Sequence, residues 1–316
     1  EGKGSERGVS KVLLTGGTGF FGKNIQEEFK KQERQLTVLG SADADLRAGK
    51  HEFGYILRET APDVVIHAAA RCGGIGANRA QPGDFFQDNM RMGLNVFDAC
   101  VQEGVQHIVF LGTTCSYPAE GRIPYEETTL WDGYPEPTNA PYGVAKRALM
   151  ECLKAYHRQY KLNSITLLPT NLYGKHDHYD LETSHVLPAM IRKVKEAEGN
   201  SITLWGSGTP TRDLLYAGDA AEAVVRAVDR VQTMEGTEEV NLGSGREVSI
   251  RELIEVVQDT MGTDFEVQWD RTKPDGQKRR LLDTRKAKAF LDWEATTSLE
   301  EGIVECLRGD GACPSR

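Results

Sequence analysis

The segment that most restricts what this chain can fold into is KVLLTGGTGFFGKNIQEEF, residues 11–29, an apolar run, a glycine-rich turn and an amphipathic run in direct succession. Gly16, Gly19 and Gly22 stand in GxxGxxG spacing between a strand-like piece and a helix-like piece. Glycine at these points permits a tight turn, close approach of backbone to a pyrophosphate, and close packing of helix on sheet. The helix start then presents its free N–H groups to the phosphates. A bare glycine pattern says little, but strand before and helix after make it read as a dinucleotide-binding turn.

QLTVLG, DVVIHAAA, HIVFLGTT and SITLLPTN are further short aliphatic runs that end in small or polar residues. They alternate with amphipathic stretches at 22–33, 84–104, 142–160 and 185–198. That rhythm predicts a parallel sheet covered by helices on both faces, and the unbroken hydrophobicity of the strands suits burial on both sides. The fold class is therefore α/β, a Rossmann-type doubly wound parallel sheet with a smaller α/β substrate-binding domain. Beyond about residue 175 the rhythm loosens into Gly-, Pro- and charge-rich segments, and Ser249 followed by Glu252 forms a capping box at the start of a helix. The expected division gives residues 11–176 plus about 212–244 to the dinucleotide domain, and about 177–211 plus 245–316 to the substrate domain.

Charge and cysteine usage exclude several classes. With 38 Lys+Arg against 47 Asp+Glu the net charge is −9, which disfavours nucleic acid and anionic membrane as partners. No apolar run reaches the roughly 18 residues of a membrane span, and the opening EGKGSERGVS has no apolar stretch of a signal peptide, so a cytoplasmic protein is expected. The 6 cysteines have no CxxC spacing, which excludes a thiolate metal site and a disulfide framework.

In PYGVAKRALM, Tyr142 and Lys146 lie four apart in a helical stretch and so share one face. A phenol of ordinary pKa about 10 is a poor acid–base group near neutrality; a nearby ammonium, with the cofactor's nicotinamide charge, favours its phenolate. Tyr142 can then exchange a proton with a carbonyl or hydroxyl oxygen. Thr113 ends the fourth strand, where its hydroxyl can bind the same oxygen. The carboxyl ends of the strands, where ligands bind in open α/β sheets, gather Gly16–Gly22, Thr113 and Asn171 into one cleft. Taken alone, Cys115 reads as a small buried hydrophobe.

TGGTGFFG, HAAA at 67–70, Thr113 and the YxxxK pair together resemble the extended short-chain dehydrogenase/reductases. Within that superfamily the likeness is to the GDP-L-fucose synthase family. It is carried by GGIGAN at 73–78, TTCSYP at 113–118, EPTNAPYGVAK at 136–146, PTNLYG at 169–174, SHVLPAMIRK at 184–193, WGSGTPTRD at 205–213 and KPDGQ at 273–277. The resemblance implies conversion of GDP-4-keto-6-deoxy-D-mannose to GDP-L-fucose. Epimerisation at sugar carbons 3 and 5 is followed by NADPH-dependent reduction of the 4-keto group.

By the same resemblance Tyr142, Lys146 and Thr113 serve reduction, and Cys115 and His185 serve the epimerisations, with their acid and base roles open. Phe20, Phe21, Asp45, Leu46, Ala69 and Asn89 join Gly16, Gly19, Gly22, Tyr142 and Lys146 around the cofactor, and both Asn89 and Asn95, in the helix after QPGDFF, are expected to steady nearby backbone. Asn171, Lys193, Trp205 and Arg212 lie near the nucleotide sugar; Lys193 and Arg212 neutralise the diphosphate and Trp205 packs on a ring. Thr113 stands where a serine is common, and Lys193 where some members have arginine. Thr18 and Ser41 replace arginines that some members use for the cofactor's 2′-phosphate, and no acid ends the second strand before Asp43. NADP (NADPH) is the expected cofactor and NAD remains possible. No metal is expected, and a homodimer is, through helices at about 84–104 and 142–160. The alternative reading is a related 4-ketoreductase or epimerase acting on another GDP- or NDP-sugar, a deoxysugar or a heptose.

Overall fold

The structure is a computed structural model and describes residues 10–177, 186–273, 275 and 277–309. The apolar runs form β1 (Val12–Thr15), β2 (Leu36–Leu39), β3 (Val64–His67), β4 (His107–Leu111) and β5 (Asn163–Pro169). Between them run α1 (Phe20–Lys31), α2 (Lys50–Thr60), α3 (Ile75–Ala80), α4 (Pro82–Gln102) and α5 (Ala140–Tyr160). The remaining elements are β6 (Asn171–Tyr173), α6 (Val186–Lys195), β7 (Ser201–Trp205), β8 (Thr211–Arg212), β9 (Leu214–Tyr216), α7 (Ala217–Val231), β10 (Thr237–Leu242), β11 (Val248–Ser249), α8 (Ile250–Met261), β12 (Glu266–Asp270), α9 (Arg285–Leu291) and α10 (Leu299–Gly309).

Six parallel strands make the central sheet in the order β10-β5-β4-β3-β1-β2. The chain steps outward from β1 to β2 and then returns to the other side of β1. This places a crevice beyond the carboxyl ends of β1 and β3. Side chains along each strand alternate between two buried layers. Val12, Leu14, Val64, Ile66, Val109 and Leu111 enter one with α1 and α7, while Leu13, Val65, Ile108 and Phe110 enter the other with Phe53, Phe97 and Leu149. Both layers are apolar, which is why the strands read as continuous rather than alternating runs.

A third apolar cluster joins α6, α8 and α10 to the paired strands β7 and β12. Ser249 and Glu252 form the expected capping box of α8, and Gly262 ends that helix in the left-handed conformation. The segment around α9 does not pack here. Ala287, Leu291 and Trp293 are buried against the central sheet with Val240 and Val228, and Trp293 Nε1 donates to Asp219 O at 3.0 Å. The chain thus crosses back to the first domain within the stretch that the sequence assigned to the second.

Candidate active site

One cleft, of about 1570 Å³, runs along the carboxyl ends of the strands and on to α6 and β7. Its first wall is made of backbone. Gly16 has φ +74, and a Cβ there would lie 2.6 Å from Ala69 N; a Cβ on Gly22 would lie 2.2 Å from Gly16 O. The turn therefore closes onto β3's loop and onto itself only with hydrogen at both positions. No side chain caps α1, so its first-turn N–H groups face the cleft without an intrahelical acceptor. A cradle of this shape fits a dinucleotide's pyrophosphate. Phe20, Phe21, Asp45, Leu46 and Ala69 line this part of the cleft.

Asn89 does not line it. It is 2% exposed, accepts from Arg71 N at 3.1 Å and donates to Arg71 O at 2.9 Å and to Phe85 O at 2.7 Å. Its helix turns it beneath the loop, so it fixes that backbone instead of reaching a ligand. Asn95 acts similarly, donating to Leu46 O at 2.7 Å. At the end of β2, Thr18, Gly40 and Ser41 line the cleft. The cation next along the chain, Arg47, is fixed on Asp45 by bonds of 2.8 and 3.0 Å.

The middle of the cleft is built where α5 meets the loop after β4. Thr113 Oγ1 accepts from Cys115 N at 3.2 Å and caps a short 3-10 turn over Thr114–Ser116. Helix α5 rides directly on that turn, because a Cβ on Gly143 would sit 2.1 Å from Cys115 O. Tyr142 is thereby held beside Thr113 and near Cys115 and Cys72. Lys146, 1% exposed, donates from Nζ to Leu111 O at 2.8 Å and lies 6.0 Å from the centre of the Tyr142 ring.

The sequence argument has Lys146 favouring a phenolate, but in the protein alone burial acts first. Burial holds the Tyr142 pKa well above its usual value, the two thiols Cys72 and Cys115 add to the rise, and the Thr113 hydroxyl opposes it. Burial also lowers Lys146 to about 8, with Cys72 opposing. Tyr142 is thus a phenol at neutral pH, the form a proton donor needs.

The second wall is made of long side chains. Arg212 Nη1 donates to Thr211 O at 2.8 Å and Gln277 O at 2.7 Å. Its pKa is lowered to about 10 by burial first and then by the neighbouring Arg280, while Asp275 opposes. Lys193 donates to Thr203 O at 2.8 Å, and burial lowers its pKa. Trp205 is 62% exposed, with Lys193 and Lys273 at 6.0 and 5.3 Å from its ring centre. Asn171 Nδ2 donates to Asp213 O at 3.0 Å at the seam between the walls.

The sequence profile of the NAD dependent epimerase/dehydratase family matches residues 12–243. The chain belongs to that family. Its GDP-L-fucose synthase branch supplies close relatives. A GDP-L-fucose synthase of Sinorhizobium fredii is 38% identical over 298 residues, 93% of each chain. GDP-L-fucose synthase 1 of Arabidopsis thaliana is 39% identical over 300 residues, covering 94% of this chain and 91% of that one. The solved GDP-L-fucose synthetase of Naegleria fowleri bound to NADP is 30% identical, with a TM-score of 0.85, 95% of this chain and 92% of that one covered. This family member is an NAD(P)-dependent epimerase/reductase.

In this epimerase/dehydratase the cleft brings together Thr113, Cys115, Tyr142 and Lys146, with Asn171, Lys193, Trp205 and Arg212 along its other wall. His185 lies outside the described residues. Cys72, Asn139, Gln277 and Arg280 also line the cleft and were not singled out from the sequence. Asn139 and Gln277 lie inside the quoted EPTNAPYGVAK and KPDGQ, where spacing alone gave no reason to separate them from their neighbours.

Proposed function

We propose that this chain converts GDP-4-keto-6-deoxy-D-mannose to GDP-L-fucose by epimerisation at sugar carbons 3 and 5 and NADPH-dependent reduction at carbon 4. The observation that carries this reading is a thiol, Cys115, set two residues from the Thr113 hydroxyl and against the Tyr142 phenol in one cleft. A plain reductase has no use for a proton-transfer thiol beside its acid. The 4-keto group makes the protons on carbons 3 and 5 acidic, and Cys115 exchanges protons there together with His185.

When bound, the nicotinamide supplies the hydride for carbon 4. Thr113 orients the 4-oxygen and Tyr142 gives it a proton. The phenolate left behind is stabilised by the Lys146 ammonium, whose Nζ stays anchored on Leu111 O. Arg212 and Lys193 neutralise the diphosphate, Arg212 through a planar fork and Lys193 as a point charge. Trp205, exposed on β7, offers a flat face to a ring.

NADPH is the preferred reductant in this reading, supported by the NADP-bound relative. A homodimer forms through α4 and α5, where the partly buried Leu94, Val101, Val144, Ala148 and Cys152 keep some apolar surface outside the core. No helix among the described residues is long and apolar enough to cross a membrane, and Cys72, Cys100, Cys115, Cys152 and Cys306 are free thiols, which suits the cytoplasm.

The test is to incubate the enzyme with GDP-4-keto-6-deoxy-mannose and NADPH while following cofactor oxidation and product identity. Tyr142→Phe is expected to cut turnover by about a thousandfold with NADPH binding unchanged. Absence of cofactor oxidation by the wild type refutes the substrate, and unchanged turnover in the variant refutes the role of Tyr142.

A further inference from the structure

The sulfur of Cys115 meets two donors from outside its own segment. Asn139 Nδ2, from the residue before α5, is 3.4 Å away, and Arg280 Nη1 is 4.0 Å away, the outer reach of an N–H···S contact. The guanidinium is fixed from behind. Its Nε and Nη2 both donate to Gln277 Oε1, at 3.2 and 2.9 Å. Gln277 in turn donates to Tyr125 Oη at 2.8 Å and Ala119 O at 3.3 Å, and Asp213 N–H holds the Arg280 carbonyl at 3.0 Å.

Charge makes this arrangement unusual in its surroundings. Arg279 and Arg285 are ion-paired with Glu247 and Asp283. Arg280 forms no ion pair with a carboxylate among the described residues, and its field reaches the other cleft arginine, Arg212. A half-buried guanidinium held by neutral partners keeps its full charge for whatever stands before it. What stands before it is Cys115, and Asn139 shares the task. Asn139 Oδ1 is buried with no hydrogen-bond partner among the described residues, so the amide's donor end is the one committed, and it is committed to sulfur.

We propose that Arg280, with Asn139, is a positioning residue for epimerisation: it fixes the sulfur of Cys115 and carries the negative charge that this sulfur bears in one half of each proton exchange. The inference rests on reading Cys115 as a proton-transfer group. When sulfur takes a carbon-bound proton, thiolate becomes thiol and the electron pair left on carbon is delocalised onto the 4-keto oxygen. When sulfur returns a proton, thiol becomes thiolate and the enolate becomes ketone again. In either direction one state is anionic at sulfur, and an adjacent guanidinium and amide donor stabilise that state over its absence.

Alkylation of the free enzyme by iodoacetamide at one fixed pH tests the contact without substrate, with the Cys115 and Cys72 adducts followed separately by peptide mass spectrometry. Arg280→Gln is expected to slow alkylation of Cys115 about tenfold and leave Cys72 unchanged, with Arg280→Lys recovering most of the rate. Equal rates for wild type and Arg280→Gln, or equal slowing of both thiols, overturns the proposal. If Arg280→Gln does not fold, judged by loss of NADPH binding, Asn139→Leu gives the same reading with a drop of about threefold. Solvent-deuterium incorporation at sugar carbons 3 and 5 should fall with the alkylation rate. Full-rate incorporation in Cys115→Ser would instead refute the chemical role of Cys115 itself, even where Arg280 still governs alkylation.

Discussion

The two walls of the cleft are made of different material. The wall for the dinucleotide is backbone, closed by Gly16 and Gly22 against each other and against Ala69. The opposite wall, which the proposed reaction gives to the sugar nucleotide, is side chain, with Lys193 from α6, Trp205 from β7, Arg212 from β8 and Arg280 from a loop. A backbone cradle has no slack, because a carbonyl cannot rotate away from an intruding methyl group. A side-chain wall tolerates exchange and loses affinity in proportion to the charge removed.

The comparison is broken most severely at Gly22. Alanine there would set Cβ 2.2 Å from Gly16 O and 2.7 Å from Gly17 Cα. Gly22→Ala is therefore expected to cost more than about 3 kcal/mol of stability and to abolish NADPH binding, as read by urea unfolding and NADPH fluorescence. A variant that keeps wild-type cofactor affinity would show that the turn can yield.

The seam between the walls gives the next effect. Asp213 is fully buried, its Oδ1 accepts from Ser244 N and Oγ at 2.8 and 2.7 Å, and its carbonyl accepts from Thr170 and Asn171. Burial raises its carboxyl from 3.8 to about 6, with the Ser244 bonds opposing. Because the folded pKa is the higher one, the stabilisation is complete below about pH 4 and is lost as pH rises through 6. Urea unfolding should show the wild type losing about 3 kcal/mol relative to Asp213→Asn between pH 4 and 7. A gap that stays constant with pH would mean that Asp213 does not titrate this way.

The smallest of the three belongs to the side-chain wall. Arg212→Ala should weaken GDP binding about thirtyfold by calorimetry while leaving NADPH affinity unchanged. Loss of both affinities together would show that the walls are one cooperative structure and not two.

The glycine turn, the apolar strand runs and the Tyr142–Lys146 pair were legible because each is a pattern within a few residues of sequence, while the pairing of Val12 with Val64 joins strands far apart in the chain. Gly143 was not legible, since its lack of a side chain matters only once α5 docks on the turn at Cys115. The path of α9 was equally hidden: Ala287 and Leu291 make a short apolar spacing that suits either domain, and burial with Val228 and Val240 decides which. The upward push of burial on the Tyr142 phenol in the protein alone was also hidden, because neighbouring charge can be guessed from YxxxK but depth of burial cannot.

The sequence by itself determined the chemistry available: a dinucleotide turn, a phenol with its lysine, a strand-end hydroxyl and a cysteine two residues on. Only the tertiary structure decided which charges serve that chemistry. Arg280 lies 165 residues from Cys115 and reaches it through a loop folded back across the cleft, and no periodicity or spacing records a contact that the chain makes only by closing.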